Sequence, residues 1–269
     1  MGCFNQKIEP NSLPKNLTTL VFEHFNQKLE PNSLPENLTT LKFGNKFNQK
    51  IVSNILPENL TNLTFRKKFN QKIEPNILPE NLTTVTFGER FNQKIKPNTL
   101  PENLTTVTFG RDFNQEIDPN TLPKNLTTLI FGYYFNQKIE PNTLPEKLIS
   151  LTFGYHFNQK LDYLPNNLHD IIFDLTYNYD ITRDSLNVIN DISSYYNVII
   201  FIPHGCSIIG ELKWPLHVID YYHNNYDDNW SSDIYDVIDK YIHPKYDEIT
   251  ILINKKTYQP YSSAKSALK

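Results

Sequence analysis

A repeat solenoid is the fold class this sequence predicts: short strands in a parallel sheet, joined by mostly non-helical return segments, with a small α/β cap at the carboxy-terminal end. Three observations predict it. The segment FNQK or a close variant begins at Phe4, Phe25, Phe47, Phe69, Phe91, Phe113, Phe135 and Phe157, with one step of 21 and then six of 22 residues. A fixed period of that size means stacked coils, each of which buries its apolar face only against its neighbours. The closing part of each unit alternates apolar and polar residues with period two, and its middle is broken by two prolines.

A typical unit reads FNQKIEPNTLPENLTTVTFGRD. Val107 and Phe109 share one face of a strand, with Thr106 and Thr108 on the other, because side chains alternate along an extended chain. Pro97 and Pro101 exclude a long helix on the way back. Each coil is therefore expected to be a strand, a turn through the FNQ segment, and an extended or 3₁₀ return. Stacked coils would pair their strands in parallel about 4.8 Å apart. The second phenylalanine column runs Phe22, Phe43, Phe65, Phe87, Phe109, Phe131, Phe153 and Phe173. The two columns hold all of the chain's 17 phenylalanines except Phe201. Asparagine, 33 of 269 residues, is explained in the same way. Asn5 through Asn158 and Gln6 through Gln159 recur in all eight units and predict an amide ladder that satisfies open backbone groups.

The eighth unit drops two residues before Leu164-Pro165, and the period then fails. We take 1–173 as the eight-repeat domain and 174–269 as a degenerate cap with a flexible tail after Lys255. Asp184 to Tyr195 and Ser232 to Ile242 read as short helices, the second capped by Ser232. Apolar runs at 197–202, 216–222 and 249–253 read as strands that continue the sheet.

The FNQK motif, followed by LPENLTTLTFG or near variants, resembles the FNIP repeat family, named for its Phe-Asn-x-x motif and related to leucine-rich repeats. The match spans roughly residues 4–173. The resemblance implies a leucine-rich-repeat-like binding scaffold of the kind known from social amoebae and from giant viruses that infect amoebae. Many members carry an amino-terminal F-box that recruits a ubiquitin ligase. Here Met1-Gly2-Cys3 runs straight into the first FNQ. A substrate-recognition role in ubiquitin transfer is accordingly a weaker alternative.

Composition narrows the function classes. Two cysteines cannot make a disulfide framework, and apolar runs such as Val198 to Ile202 are too short to cross a bilayer. No charged-then-apolar leader follows Met1, so the expected compartment is the cytoplasm, the host's if the chain is viral. Sequons at Asn37, Asn81 and Asn103, among others, belong to the repeat and are expected to stay unmodified. Gln6 stands where N-myristoylation wants Ser or Thr. The net charge of -3 divides into a slightly basic repeat half and an acidic end.

Along the return path, a lysine column from Lys7 to Lys160 lies two residues from an acidic column from Glu9 to Asp162. The exchange of sign at Lys96 and Glu116 suggests pairing across coils. The outward strand positions, such as Thr106 and Thr108, carry no recurrent catalytic pair. Variation between coils concentrates just after the second phenylalanine. There Lys46, Arg66, Lys67, Lys68, Arg90 and Arg111 are followed by Tyr133, Tyr134, Tyr155 and His156. A basic ridge leading into tyrosines suits an acidic protein segment, with single-stranded nucleic acid as the alternative. In the cap, His217, Asp220 and His223, or His204 with Cys206, lack a spacing specific to metal or nucleophile chemistry. The expectation is a non-enzymatic protein-interaction scaffold with no catalytic residue, metal, cofactor, small-molecule substrate or membrane span.

Overall fold

The computed structural model describes residues 4–159 and 161–174 and, beyond them, the backbone of five further strands. One strand per coil forms the array: β1 (Thr19–Val21), β2 (Thr40–Lys42), β3 (Asn62–Thr64), β4 (Thr84–Thr86), β5 (Thr106–Thr108), β6 (Thr128–Ile130), β7 (Ser150–Phe153) and β8 (Asp170–Asp174). Neighbours pair in parallel, with each residue opposite its repeat equivalent, as Val107 is opposite Leu129. The sheet continues through β10 (Asn197–Pro203) and β12 (His217–Tyr221), both parallel, and ends on β13 (Thr250–Ile253), which is antiparallel to β12. β9 (Asp180–Ile181) and β11 (Ser207–Ile208) form a separate pair. The three apolar runs expected to be strands beyond the repeats are thus β10, β12 and β13. The expected helices at Asp184–Tyr195 and Ser232–Ile242, and the tail past Lys255, lie outside the described residues. Among the described residues there is no helix.

Three tight turns close a typical coil. In the sixth they are marked by Phe113 N donating to Gly110 O at 3.2 Å, Thr121 N to Asp118 O at 3.2 Å, and Leu126 N to Pro123 O at 3.2 Å. The first of these lies ahead of the FNQ segment, where the sequence reading put the turn through it. The second has Pro119 and then Asn120 at its centre, and Asn120 has a φ of 59°. Proline followed by a left-handed residue is the pattern of a type II turn, and asparagine tolerates that region better than other non-glycine residues. Seven coils place an asparagine at positive φ here, Asn11, Asn32, Asn54, Asn76, Asn98, Asn120 and Asn142, and in all but the third, where Ser53 precedes Asn54, the residue before it is proline. Asn120→Ala is expected to lower stability by about 1–2 kcal/mol and Asn120→Gly by less, because alanine keeps the Cβ that strains a left-handed backbone but loses the amide that lets asparagine tolerate it, whereas glycine has no Cβ to strain. Urea denaturation of the pair checks it; equal losses would mean the side-chain amide, not the backbone, matters there.

Six apolar side chains per coil fill the interior. In the sixth coil Phe113, Ile117, Leu122, Leu126, Leu129 and Phe131 are all buried, none more than 5% exposed. The two phenylalanine columns stand side by side, with rings nearly parallel: Phe131 and Phe135 are 3.7 Å apart at 6°, and Phe109 and Phe113 are 3.9 Å apart at 12°. Along a column the rings follow at 5.5 Å from Phe87 to Phe109 and 5.7 Å from Phe109 to Phe131.

Polar side chains bind the coils along three ladders. Asn114 Oδ1 accepts from Asn136 N at 2.9 Å and from Gln137 Nε2 at 2.8 Å, so the Asn and Gln columns form one amide ladder as expected. Asn103 Nδ2 donates to Glu80 O at 2.8 Å, and Thr105 Oγ1 donates to Thr83 O at 3.1 Å. These last two are the Asn and Thr of a repeat sequon, so both carry structural bonds. The charge columns pair across coils at Lys7–Glu30 (3.2 Å) and Lys94–Asp118 (3.1 Å), but within a coil at Lys72–Glu74 and Lys138–Glu140, each 2.8 Å. Lys96 and Glu116 share no ion pair among the described residues. A lysine two residues from an acid on an extended chain reaches it as easily as the next coil. All these groups are exposed, so each pair contributes little to stability.

Candidate functional site

Two surfaces compete for a binding role, the outward face of the strands and the ridge that follows them. The strand face is not uniform. In one column Val21 and Lys42 are exposed and Thr64 and Thr86 are half-buried, whereas Thr108, Ile130, Thr152 and Ile172 are buried at 7%, 2%, 2% and 8% exposure. Equivalent threonines in the same register thus differ, and the column is open only over β1 to β4. The hydroxyls of Thr108 and Thr152 have no hydrogen-bond partner among the described residues.

The ridge is two columns rather than one. The turn before each first phenylalanine holds two central residues, of which the second is the more exposed in the third, fourth, sixth and seventh coils, while Arg111 is more exposed than Asp112 in the fifth. The inner column runs Asn45, Lys67, Glu89, Arg111, Tyr133 and Tyr155; the outer runs Lys46, Lys68, Arg90, Asp112, Tyr134 and His156. Backbone bonds fasten the two columns from coil to coil: Arg90 N to Lys67 O at 3.1 Å, Asp112 N to Glu89 O at 2.7 Å, Tyr134 N to Arg111 O at 2.9 Å, and His156 N to Tyr133 O at 3.0 Å. A ridge held this way is a rigid platform, not a set of drifting loops.

The six basic groups of the ridge therefore have different fates. Lys67 pairs with Glu89 at 3.8 Å, and Glu89 is largely buried. Arg111 lays its guanidinium over the rings of Tyr133 and Tyr134, 5.5 and 5.6 Å from their centroids. Lys46, Arg66, Lys68 and Arg90 are exposed and make no ion pair among the described residues. The free charge is thus carried by coils two to four, mainly on the outer column.

Coils six and seven supply an aromatic cluster. Tyr133 stacks on Tyr155 at 5.5 Å and Tyr134 on His156 at 5.1 Å, with Tyr133 edge-on to Tyr134 at 4.7 Å and to His156 at 4.7 Å. Burial raises the Tyr133 hydroxyl above the usual tyrosine range, helped by the neighbouring Tyr134 and Tyr155 and opposed by Arg111. Burial also lowers His156, which favours the neutral ring in the stack. All ten sequence-predicted ridge residues therefore lie on one continuous edge, and they divide into a cationic half and an aromatic half.

In the cap, of His217 and Asp220 only the backbone is described, and His204, Cys206 and His223 lie outside the described residues. Among the described residues no group of three or more His, Cys, Asp or Glu could hold a metal ion, and no helix is long and apolar enough to cross a membrane.

The family model for the FNIP repeat matches residues 4–46, 47–90, 91–134 and 135–175, so that each match takes in two coils. The chain belongs to the FNIP repeat family. Among solved structures, these FNIP repeats are similar to the giant-virus protein CroV588, described as a novel circular leucine-rich-repeat protein. The two share 39% identity over 82% of this chain, with a TM-score of 0.57. The chain spans 39% of the length of CroV588. No curated protein matches it. The FNIP array is thus a leucine-rich-repeat-like solenoid, a fold typical of protein-interaction scaffolds.

Sequence reading missed the separation of the ridge into two columns. Its signal was present in the turn, whose two central residues stand in two adjacent columns from coil to coil. Sequence reading also missed the closure of the strand face, for which the identical threonines carry no signal.

Proposed function

We propose that the protein is a non-catalytic interaction scaffold of the cytoplasm whose ridge binds an acidic segment of another protein. The observation that carries this reading is the run of exposed cations at Lys46, Arg66, Lys68 and Arg90, without an ion pair among the described residues, which leads directly into the packed Tyr133, Tyr134, Tyr155 and His156 cluster. Free charge attracts and orients a partner, and a preordered aromatic cluster offers contact area with little entropy left to lose. Single-stranded nucleic acid fits less well. Its bases need open ring faces, and here the tyrosines already face one another, His156 and Arg111. A ubiquitin-ligase role has no specific residue behind it.

Affinity capture with the full chain, set against the double variant Lys68→Glu, Arg90→Glu, tests the reading. The reversal is expected to remove the captured proteins or weaken their retention by at least about tenfold at low salt, since charge steering is lost and repulsion takes its place. An unchanged set of bound proteins would move the binding surface elsewhere.

A further inference from the structure

The outer column of the ridge has a spacing as well as a charge order, and the two together specify a conformation for what binds it. Resting on the ridge reading above, we infer that the bound segment is an α-helix lying along the solenoid axis, with its acidic residues on one stripe. Coil to coil, the column advances by one strand spacing, about 4.8 Å. A helix advances by about 5.4 Å per turn, so one side chain per turn meets one coil over several coils. An extended strand places same-side residues about 6.8 Å apart and falls out of step after two coils.

The sequence of the column sets the sequence of the stripe. From the second coil to the seventh it reads Lys46, Lys68, Arg90, Asp112, Tyr134 and His156, a span of about 24 Å. Three acids one turn apart face the three cations, a basic residue faces Asp112, and two aliphatic residues cover the Tyr134–His156 stack. On a helix of about 18 residues these fall at positions 1, 4, 8, 11, 15 and 18, whose rise of about 25 Å matches the ridge. The column's rigidity favours such a partner, because the backbone bonds of its turns hold four of the six rungs in place. Tyr134 at 39% exposure leaves a ring edge for the aliphatic end to cover.

The test uses the full chain and four fluorescent probes. The first is the 18-residue peptide with Glu at 1, 4 and 8, Lys at 11, Leu at 15 and 18, and Ala and Gln elsewhere. A second peptide has the same composition with the acids scattered round the helix, and a third is the first with a central proline. The fourth probe is oligouridylate. The first peptide is expected to bind at least about tenfold more tightly than the second and third, and to lose that advantage against Arg90→Glu. Equal binding of all three peptides would overturn the helical inference and leave the acidic-segment reading intact. Binding by none of the peptides, or by oligouridylate in preference to them, would overturn both.

Discussion

Truncating Phe109 to alanine is expected to destabilise the chain by about 3–5 kcal/mol, the range for removing a fully buried aromatic ring. Phe109 is 1% exposed. Its ring lies 3.9 Å from Phe113, 5.5 Å from Phe87 and 5.7 Å from Phe131. The void would open in the middle of two ladders whose neighbours are fixed by their own backbone pairing, so the site has little room to collapse. Repeat architecture transmits the loss, because each coil is stable only through the coils on either side. Phe4 supplies the contrast. It has the same place in its unit as Phe113, but it is 49% exposed and touches one ring, that of Phe25 at 6.1 Å. Phe4→Ala should therefore cost only about 1 kcal/mol, the loss of a half-exposed apolar contact. Urea denaturation of both variants decides the matter. Equal losses would mean that ring burial does not set the strength of the array.

How much of this was legible in the sequence depends on whether a feature repeats. The strands, the apolar coil interior and the asparagine ladder follow from the period, because a residue present in every unit must satisfy the same contacts in every coil. The type II turns were legible too, in the recurring Pro-Asn pair, although the sequence reading used the prolines only to exclude helix. What could not be read is whatever distinguishes one coil from its equivalents. Thr86 and Thr108 have the same neighbours in sequence, yet the first is half-buried and the second buried. Likewise Lys67 and Lys68 look interchangeable, and only the geometry of the turn sends Lys67 to Glu89 and leaves Lys68 without an ion pair among the described residues. The charge columns fall between these cases. Their complementarity was legible, but the choice between a partner in the same coil and one in the next rests on rotamers that sequence does not encode.

Replacing Gly110 with alanine is expected to cost about 2–4 kcal/mol, although it adds a single methyl group. A Cβ at Gly110 would overlap Gly88 O and its carbonyl carbon and stand 2.9 Å from Glu89 N. That obstacle is backbone, so no side-chain rotation relieves it. The two coils must part by roughly 1 Å at the ridge to restore ordinary contact distances. The bond most exposed to such a movement is Asp112 N to Glu89 O, at 2.7 Å the shortest of its column. The chain already contains the consequence. In the third coil Arg66 occupies the glycine position, and there alone, between the second coil and the seventh, the ridge bond is missing among the described residues: Lys68 N makes none to Asn45. Arg66→Gly should therefore let the third coil close onto the second and form that bond. The gain of about 1 kcal/mol is offset by glycine's greater unfolded-state freedom, so global stability should hardly move. Hydrogen exchange at the Lys68 amide reads the change directly: slower in Arg66→Gly, with Asp112 exchanging faster in Gly110→Ala. If Gly110→Ala unfolds at the wild-type midpoint with its Asp112 amide still protected, close approach of coil backbones is not what glycine supplies here.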